Sequence, residues 1–280
     1  MDKEHTSKMY RIGPFARHMG VTPDLLKHYE QFHLIESVPS ESGYRYYPFS
    51  QSARLLAAVS LRGYGFSLRE IDGLLGGAEP GEIRRALDAQ GKNIEREILF
   101  RQAVLAEQRQ FSAWLERMSD RRWDCRVEEL GALCFLPHTR HWDFLSDDRI
   151  YEILKDWTDW MPVVKSCLEI PLSPEPFSAR NRDESFWGLI LPQSLAEKYA
   201  IPLNDAVKRI PGRKWLICDY MISPPFDPER PTLMERLQDE LDRRGLAPAD
   251  TIYNTLLLRT QTDHSGPSVS RLGFFLVPVC

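Results

Sequence analysis

The chain has 280 residues, 42% of them hydrophobic and 27% charged, with a net charge of −4. Those proportions exclude a mainly disordered chain, and at roughly 100–200 residues per domain the length suggests two compact units. No apolar run reaches the roughly 18 residues of a membrane helix, and MDKEHTSKMYR lacks the apolar stretch of a signal peptide, so a cytoplasmic location without a membrane partner is expected. Five cysteines are too few for a disulfide framework in a chain of this size.

Ile12, Phe15, Ala16 and Met19 recur at helical spacing and Gly20 follows as a stop. Thr22 then suits an N-cap, Pro23 the first helical position and Asp24 the helix dipole. The pattern predicts a second helix to about Gln31, with Leu25, Leu26 and Tyr29 toward the core. Two short helices on a tight Gly-containing turn fit a helix-turn-helix, although an ordinary helical hairpin satisfies the same pattern. Next comes ESVPSESGYRYYP at 36–48. Its turn formers Pro39, Ser40, Ser42 and Gly43 precede the aromatic and basic run Tyr44-Arg45-Tyr46-Tyr47. Such a hairpin can lay Arg45 and tyrosine hydroxyls on phosphates. Between Lys8 and Ile71 there are eight basic and five acidic residues, a modest excess. A helix from Ser50 to Arg62 follows, then the loop Gly63-Tyr64-Gly65-Phe66. Ser67 with Glu70 three residues on reads as a capping box.

Taken in order, Tyr10-Arg11-Ile12-Gly13, Leu26-Lys27-His28-Tyr29-Glu30, Gly43-Tyr44-Arg45-Tyr46-Tyr47 and Gly65-Phe66-Ser67-Leu68-Arg69-Glu70-Ile71 resemble the MerR family of bacterial transcription regulators. The resemblance implies a winged helix-turn-helix over 8–80 that binds double-stranded operator DNA through Tyr10, Thr22, Lys27, His28, Tyr29, Tyr44, Arg45 and Tyr46. One departure is visible. The family usually has Arg-Tyr-Tyr or Arg-Tyr-Phe where this chain has Lys27-His28-Tyr29, and Lys lacks the planar fork of Arg.

From Glu82 to Met118 there is no Pro, and only Gly91 interrupts the pattern. Leu87, Ile94, Ile98, Leu105 and Leu115 make an a/d-like stripe with gaps at Arg101, Gln108 and Ser112. A helix of this length spans roughly 50 Å and cannot bury the stripe alone. The resemblance implies that residues 81–120 form an antiparallel coiled coil holding a homodimer, which would suit a palindromic operator.

Residues 124–280 read as mixed α and β. The pattern predicts a helix from Phe144 to Lys165 and a strand Phe186–Leu191 stopped by Pro192. A strand Asp205–Ile210 leads through Pro211-Gly212-Arg213 into a strand Trp215–Met221. A helix from Pro231 to Arg244 ends at Gly245, and strands Ile252–Arg259 and Leu272–Val279 close the chain. The order suggests a duplicated unit, and the fold class is α+β. Ile210-Pro211-Gly212-Arg213, Ser223-Pro224 and Ile252-Tyr253-Asn254 resemble the GyrI-like effector-binding domain, and the whole chain is similar to multidrug-binding MerR regulators. That resemblance implies a small-molecule effector, RNA polymerase as partner at an activated promoter, and no cofactor or catalysis.

Five tryptophans (Trp142, Trp157, Trp160, Trp187, Trp215) lie in this part. By position, Tyr151, Trp187, Ile222 and Asn254 match pocket-lining places of the family, with Phe186 and Tyr64 as further ligand candidates. Cation-sensing relatives carry a Glu where this chain has Asn254, so neutral or aromatic ligands are favoured unless Asp219 or Asp227, which read as surface charges, takes over. Two rival readings remain. Cys125 and Cys134 lie nine residues apart and could serve a metal or thiol sensor, whereas a lone buried thiol is the commoner fate of a residue like Cys134. Cys167, Cys218 and Cys280 form no metal-binding spacing. A ligand-hydrolysing GyrI-like enzyme is the other rival, for which His138 and His141 offer no evident nucleophile–base arrangement.

Overall fold

The computed structural model describes residues 8–40, 43–141, 143–171, 185–222, 232–261 and 269–279. Ser42, Trp142, Ser223, Pro224, Asp227, Pro231 and Cys280 lie outside them. The chain divides into two compact units, Met1–Ile98 and Leu99–Cys280.

In the first unit, β1 (Met9–Arg11) leads into α1 (Ile12–Met19) and α2 (Pro23–Gln31). Gly20 ends α1 at φ 70°, a left-handed position that suits a residue without Cβ. Thr22 caps α2, its hydroxyl accepting from the Leu25 N–H, and Pro23 opens the helix. β2 (Val38–Pro39) and β3 (Arg45–Pro48) form the hairpin, and β1 pairs with β3 to give the strand order β1-β3-β2. Then come α3 (Gln51–Gly63) and α4 (Leu68–Leu75), the latter opened by the Ser67–Glu70 capping box. Phe15, Leu26, Tyr29, Leu34, Tyr47, Leu55 and Ile71 make the core, with Phe15 stacked on Tyr47 at 5.2 Å. Arg54 is not a surface charge: it donates to the carbonyls of Leu34 and Leu75 and ties α3 to the chain on either side.

A single helix, α5 (Pro80–Met118), runs 39 residues. Ala86 and Leu87 pack on the first unit's core, whereas Ala103, Trp114 and Met118 are buried in the second unit. Ile94, Ile98, Leu105 and Leu115 are 39%, 52%, 45% and 37% exposed, so beyond Leu87 these four members of the stripe are left open by the described residues.

The second unit continues with β4 (Trp123–Leu130), β5 (Leu133–Arg140), β6 (Asp143–Phe144), α6 (Asp148–Asp159), β7 (Lys165–Ile170), β8 (Phe186–Pro192) and α7 (Gln193–Lys198). It ends with β9 (Lys208–Ile210), β10 (Arg213–Ile222), α8 (Leu233–Arg244), β11 (Ile252–Gln261) and β12 (Val269–Pro278). The strands make one sheet in the order β4-β10-β12-β11-β7-β8-β5-β6, with β9 on β5. Its inner six strands show the duplication: β5-α6-β7-β8 and β10-α8-β11-β12 are the same β-α-β-β unit, meeting where β7 pairs with β11. On one face of the sheet α6 packs Ile150, Ile153 and Trp157 against Cys134, Leu136, Leu189 and Leu191. On the same face α8 packs Leu237 and Leu241 against Leu216, Cys218, Tyr220 and Phe275.

Three expectations are corrected. The helix expected over Phe144–Lys165 is only Asp148–Asp159. The Asp147 side chain caps it by accepting from Arg149 N–H, and Pro162 disfavours helical backbone at Met161. The strand expected from Asp205 is limited to Lys208–Ile210. Asp219 is not a surface charge but is 1% exposed, held by Arg117 at 2.7 Å and Arg126 at 2.5 Å. A lone buried carboxylate would be too costly, and two guanidinium groups supply the compensation.

Candidate functional site

In the first unit, α2 and the hairpin carry the sequence candidates for a nucleic-acid face. Lys27 and His28 stand on the exposed side of α2, Lys27 beside Asp24 at 3.0 Å and His28 edge-on to Phe32. Thr22 is exposed while capping, so its hydroxyl is engaged by the helix end. Tyr29 faces the other way and is 2% exposed, with burial raising its phenol. In the hairpin Tyr44 is exposed and Tyr46 half-buried. Arg45 reaches back to Glu30 on α2 at 2.6 Å, so the hairpin and α2 are held by an ion pair. Tyr10 lies under the Lys8 ammonium and against His18.

Arg11 was not among the sequence candidates. Its guanidinium lies over the Tyr44 ring at 4.9 Å and donates to the Tyr46 hydroxyl at 3.3 Å. An exposed cation held by two rings is preorganised for a phosphate, since less side-chain entropy is lost on contact. The signal available in the sequence was the basic residue inside Tyr10-Arg11-Ile12-Gly13, but only the β1–β3 register, with Arg11 opposite Tyr46, reveals its partners.

In the second unit, one cross-strand row runs Trp187, Leu168, Asn254, Phe275, Cys218 through β8, β7, β11, β12 and β10. Directly opposed residues share a face, and this is the face that α6 and α8 cover. Ile222 belongs to the same face, packed with the α8 cluster. Asn254 is half-buried, and its Oδ1 accepts from the Tyr220 hydroxyl at 2.9 Å. Burial pushes that phenol up to about 12, so it stays a donor. Trp187 is 36% exposed. Tyr151 stands exposed on α6 and donates to the Leu145 carbonyl at 2.7 Å. Trp187, Ile222 and Asn254 are thus brought to one face. Phe186 alternates to the opposite face, where Lys208 lies 4.4 Å over its ring and Glu169, 5% exposed, takes Lys208 and the Tyr253 hydroxyl as partners. Glu169 escaped sequence reasoning because one acid in an apolar strand carries no pattern. Tyr64 lies in the first unit, exposed between α3 and α4.

Cys125 does not pair with Cys134. Cys125 is bonded to Cys218 on the adjoining strand, while Cys134 is buried against α6. With the Cys125 sulfur in that bond and the Cys134 thiol buried in the α6 core, the two residues are not a thiol pair in this structure. Among the described residues no group of three or more His, Cys, Asp or Glu is placed to hold a metal. Burial raises the thiols of Cys134 and Cys167, which keeps them protonated and poor nucleophiles. No helix among the described residues is long and apolar enough to cross a membrane.

Residues 10–78 match the MerR HTH family regulatory proteins. The chain is 34% identical over 113 residues to the HTH-type transcriptional regulator ZntR of Escherichia coli K12, covering 40% of this chain and 79% of ZntR. It is 37% identical over 76 residues to the mercuric resistance operon regulatory protein of Bacillus cereus, covering 27% of this chain and 58% of that protein. Among solved structures it aligns with the EcmrR–DNA complex in EcmrR-RPo over 96% of this chain and 99% of that one, at 16% identity and a TM-score of 0.38. The winged helix-turn-helix, the long helix after it and the match to ZntR place the chain in the MerR family of DNA-binding transcription regulators.

Proposed function

We propose that this regulator works as a homodimer that senses a small, neutral organic molecule in its C-terminal unit and activates a promoter by distorting operator DNA. Residues 8–80 would hold the operator, 81–120 the second copy and 124–280 the effector. The observation that carries the effector reading is the row Trp187–Leu168–Asn254, which sets an exposed indole and a neutral amide on one face of the sheet. Ligand sites are mostly apolar with a few fixed polar groups. With its Oδ1 taken by Tyr220, Asn254 keeps an N–H₂ donor for a ligand acceptor. Such a donor suits neutral molecules and gives a cation no counter-charge.

The exposed stripe on α5 supports the dimer, since four large apolar side chains at spacings of 4, 7 and 10 ask for a partner helix. RNA polymerase, operator DNA and a cytoplasmic setting follow from the family resemblance. Operator distortion costs several kcal/mol, and effector coupling of about 1–3 kcal/mol is enough to change output. The test is a ligand screen by tryptophan fluorescence paired with run-off transcription from the chain's own operator. A neutral aromatic ligand should both bind and alter transcription. Response to metal ions alone, with no organic ligand active, would overturn the reading.

A further inference from the structure

A cavity of about 440 Å³ opens in the second unit beside α5. Val104, Phe111 and Trp114 line it from the helix, Pro162 from the turn after α6, and Leu257 and Phe274 from β11 and β12. The volume falls within the range of small-molecule sites. None of Tyr151, Phe186, Trp187, Ile222 and Asn254 belongs to its lining. The proposal below therefore stands whether or not the Trp187–Asn254 face binds anything.

Two features define what the cavity would take. The first is charge. Glu107 and Lys165 are the charged residues of the lining, and they hold each other at 2.5 Å, 15% and 25% exposed. The pair offers no net charge, and a charged ligand would have to break a largely buried ion pair to find a partner. The second is Trp114. It is 7% exposed, and its indole N–H is buried without a hydrogen-bond partner among the described residues. Buried donors are nearly always paired, so an orphan of this kind calls for an explanation such as a missing ligand.

We infer that this cavity is a binding site for a neutral, largely apolar molecule carrying a hydrogen-bond acceptor for Trp114. Its position gives the binding a consequence. Val104, Glu107, Phe111 and Trp114 line the cavity at helical spacing, while Leu105 and Leu115 of the same helix carry the exposed stripe. A molecule filling the space fixes the rotation of α5 against the sheet, and with it the direction in which the stripe meets a second copy.

Nile red, neutral and apolar with a carbonyl acceptor, is the probe, titrated into the full-length protein by fluorescence. One dye per chain should bind in the cavity. Val104→Trp and Leu257→Trp fill the cavity from opposite walls, and each should weaken binding by about tenfold or more while circular dichroism stays native. Trp114→Phe keeps the ring and removes the donor, and should weaken binding by about threefold to tenfold. Trp187→Ala should leave unchanged the part of the dye binding that the filled variants remove, and tetraphenylphosphonium should not displace that part. Absence of dye binding by the parent protein overturns the proposal. So does unchanged affinity in the two filled variants, or in whichever of them folds. Loss of binding in Trp187→Ala alone would put the dye on the Trp187–Asn254 face and overturn the cavity site, and displacement by the cation would overturn the neutral ligand class.

Discussion

Arg117 near the end of α5 donates to Asp219 in the middle of β10 at 2.7 Å, across 102 residues of sequence. Arg126 on β4 completes the clasp at 2.5 Å. Asp219 is 1% exposed, whereas the guanidinium groups are 40% and 37% exposed. Removing the carboxylate leaves two like charges facing one another over a buried gap. Asp219→Ala should therefore cost about 3 kcal/mol, the lower end for a broken buried pair because the arginines keep contact with water. Asp124→Ala, on the rim of the same cluster, should cost under about 1 kcal/mol. Urea denaturation of the two variants checks the ordering, and equal losses would dismiss the clasp.

The features legible in the sequence were local ones. Thr22-Pro23, Ser67 with Glu70 and the closing Gly245 were readable because a cap's partners lie within three or four residues. The element order suggests a duplicated unit, but β7 (Lys165–Ile170) was not among the expected strands, so the β-α-β-β form of the first copy emerges only from the structure. What escaped depends on pairing across the sheet. Arg11 meets Tyr46 only through the β1–β3 register, and Asp219 looks like any strand acid until β4 and α5 bring arginines to it. The overlong helix at 144–165 arose because apolar residues continue at near-helical spacing through Trp160 and Met161, and the signals that end the helix, Asp147 and Pro162, were outweighed by that run. α7 was missed for the opposite reason. Pro192 was read as a strand stop, when it also precedes a short helix.

His138 on β5 gives the fold a pH dependence of known sign. Its ring lies against Phe144 at 6.4 Å, and burial holds its pKa below the ordinary 6.5. The unfolded chain then binds a proton more readily than the folded one, so stability rises with pH. This contribution is fully present above about 6.5 and is lost as pH falls from there through the depressed folded value. The urea midpoint of the parent should drop between pH 7.5 and 5.5, and His138→Gln should shrink that drop. An identical pH slope in both proteins would assign the effect to other groups.

Arg11 and Arg45 should differ on DNA. Arg11 is held by Tyr44 and Tyr46 without a carboxylate among the described residues, whereas Arg45 is 55% exposed but paired with Glu30. Arg11→Ala should flatten the salt slope of operator binding by about 0.9, one phosphate contact. Arg45→Ala should flatten it by less, because part of its charge is already balanced, and Glu30→Gln should raise affinity by freeing it. Gel-shift titrations across salt concentrations measure all three. A larger slope change for Arg45→Ala than for Arg11→Ala would show that DNA displaces Glu30.

Ile94 and Leu105 stand on the exposed stripe of α5 at 39% and 45% exposure. Replacing both with Glu removes apolar burial from each half of a symmetric contact and adds like charges across it. The doubly substituted protein should sediment as a monomer at micromolar concentration, keep native circular dichroism because neither residue is buried within the chain, and bind operator weakly through a single half-site. A parent protein that is itself monomeric under those conditions would end the coiled-coil argument.

Asn254 and Trp187 are two strands apart on one row, about 10 Å at roughly 4.8 Å per strand, with Leu168 between them. Asn254→Glu should raise affinity for a lipophilic cation relative to a neutral ligand of similar shape. The Tyr220 hydroxyl that now donates to Asn254 would donate to the new carboxylate, and a hydrogen bond to the charged form favours ionisation against the desolvation that opposes it. Because burial keeps that phenol protonated to about 12, the donor persists at any working pH. Trp187→Ala should weaken both ligands alike, since lost aromatic area does not discriminate by charge. Calorimetric titration of each variant with one cationic and one neutral aromatic compound separates the effects. If Asn254→Glu leaves the cation-to-neutral ratio unchanged while Trp187→Ala weakens both, the ligand meets the row at its β8 end and does not reach β11. If neither substitution matters, the row is only the floor beneath α6 and α8, and effector binding must be sought in the cavity beside α5.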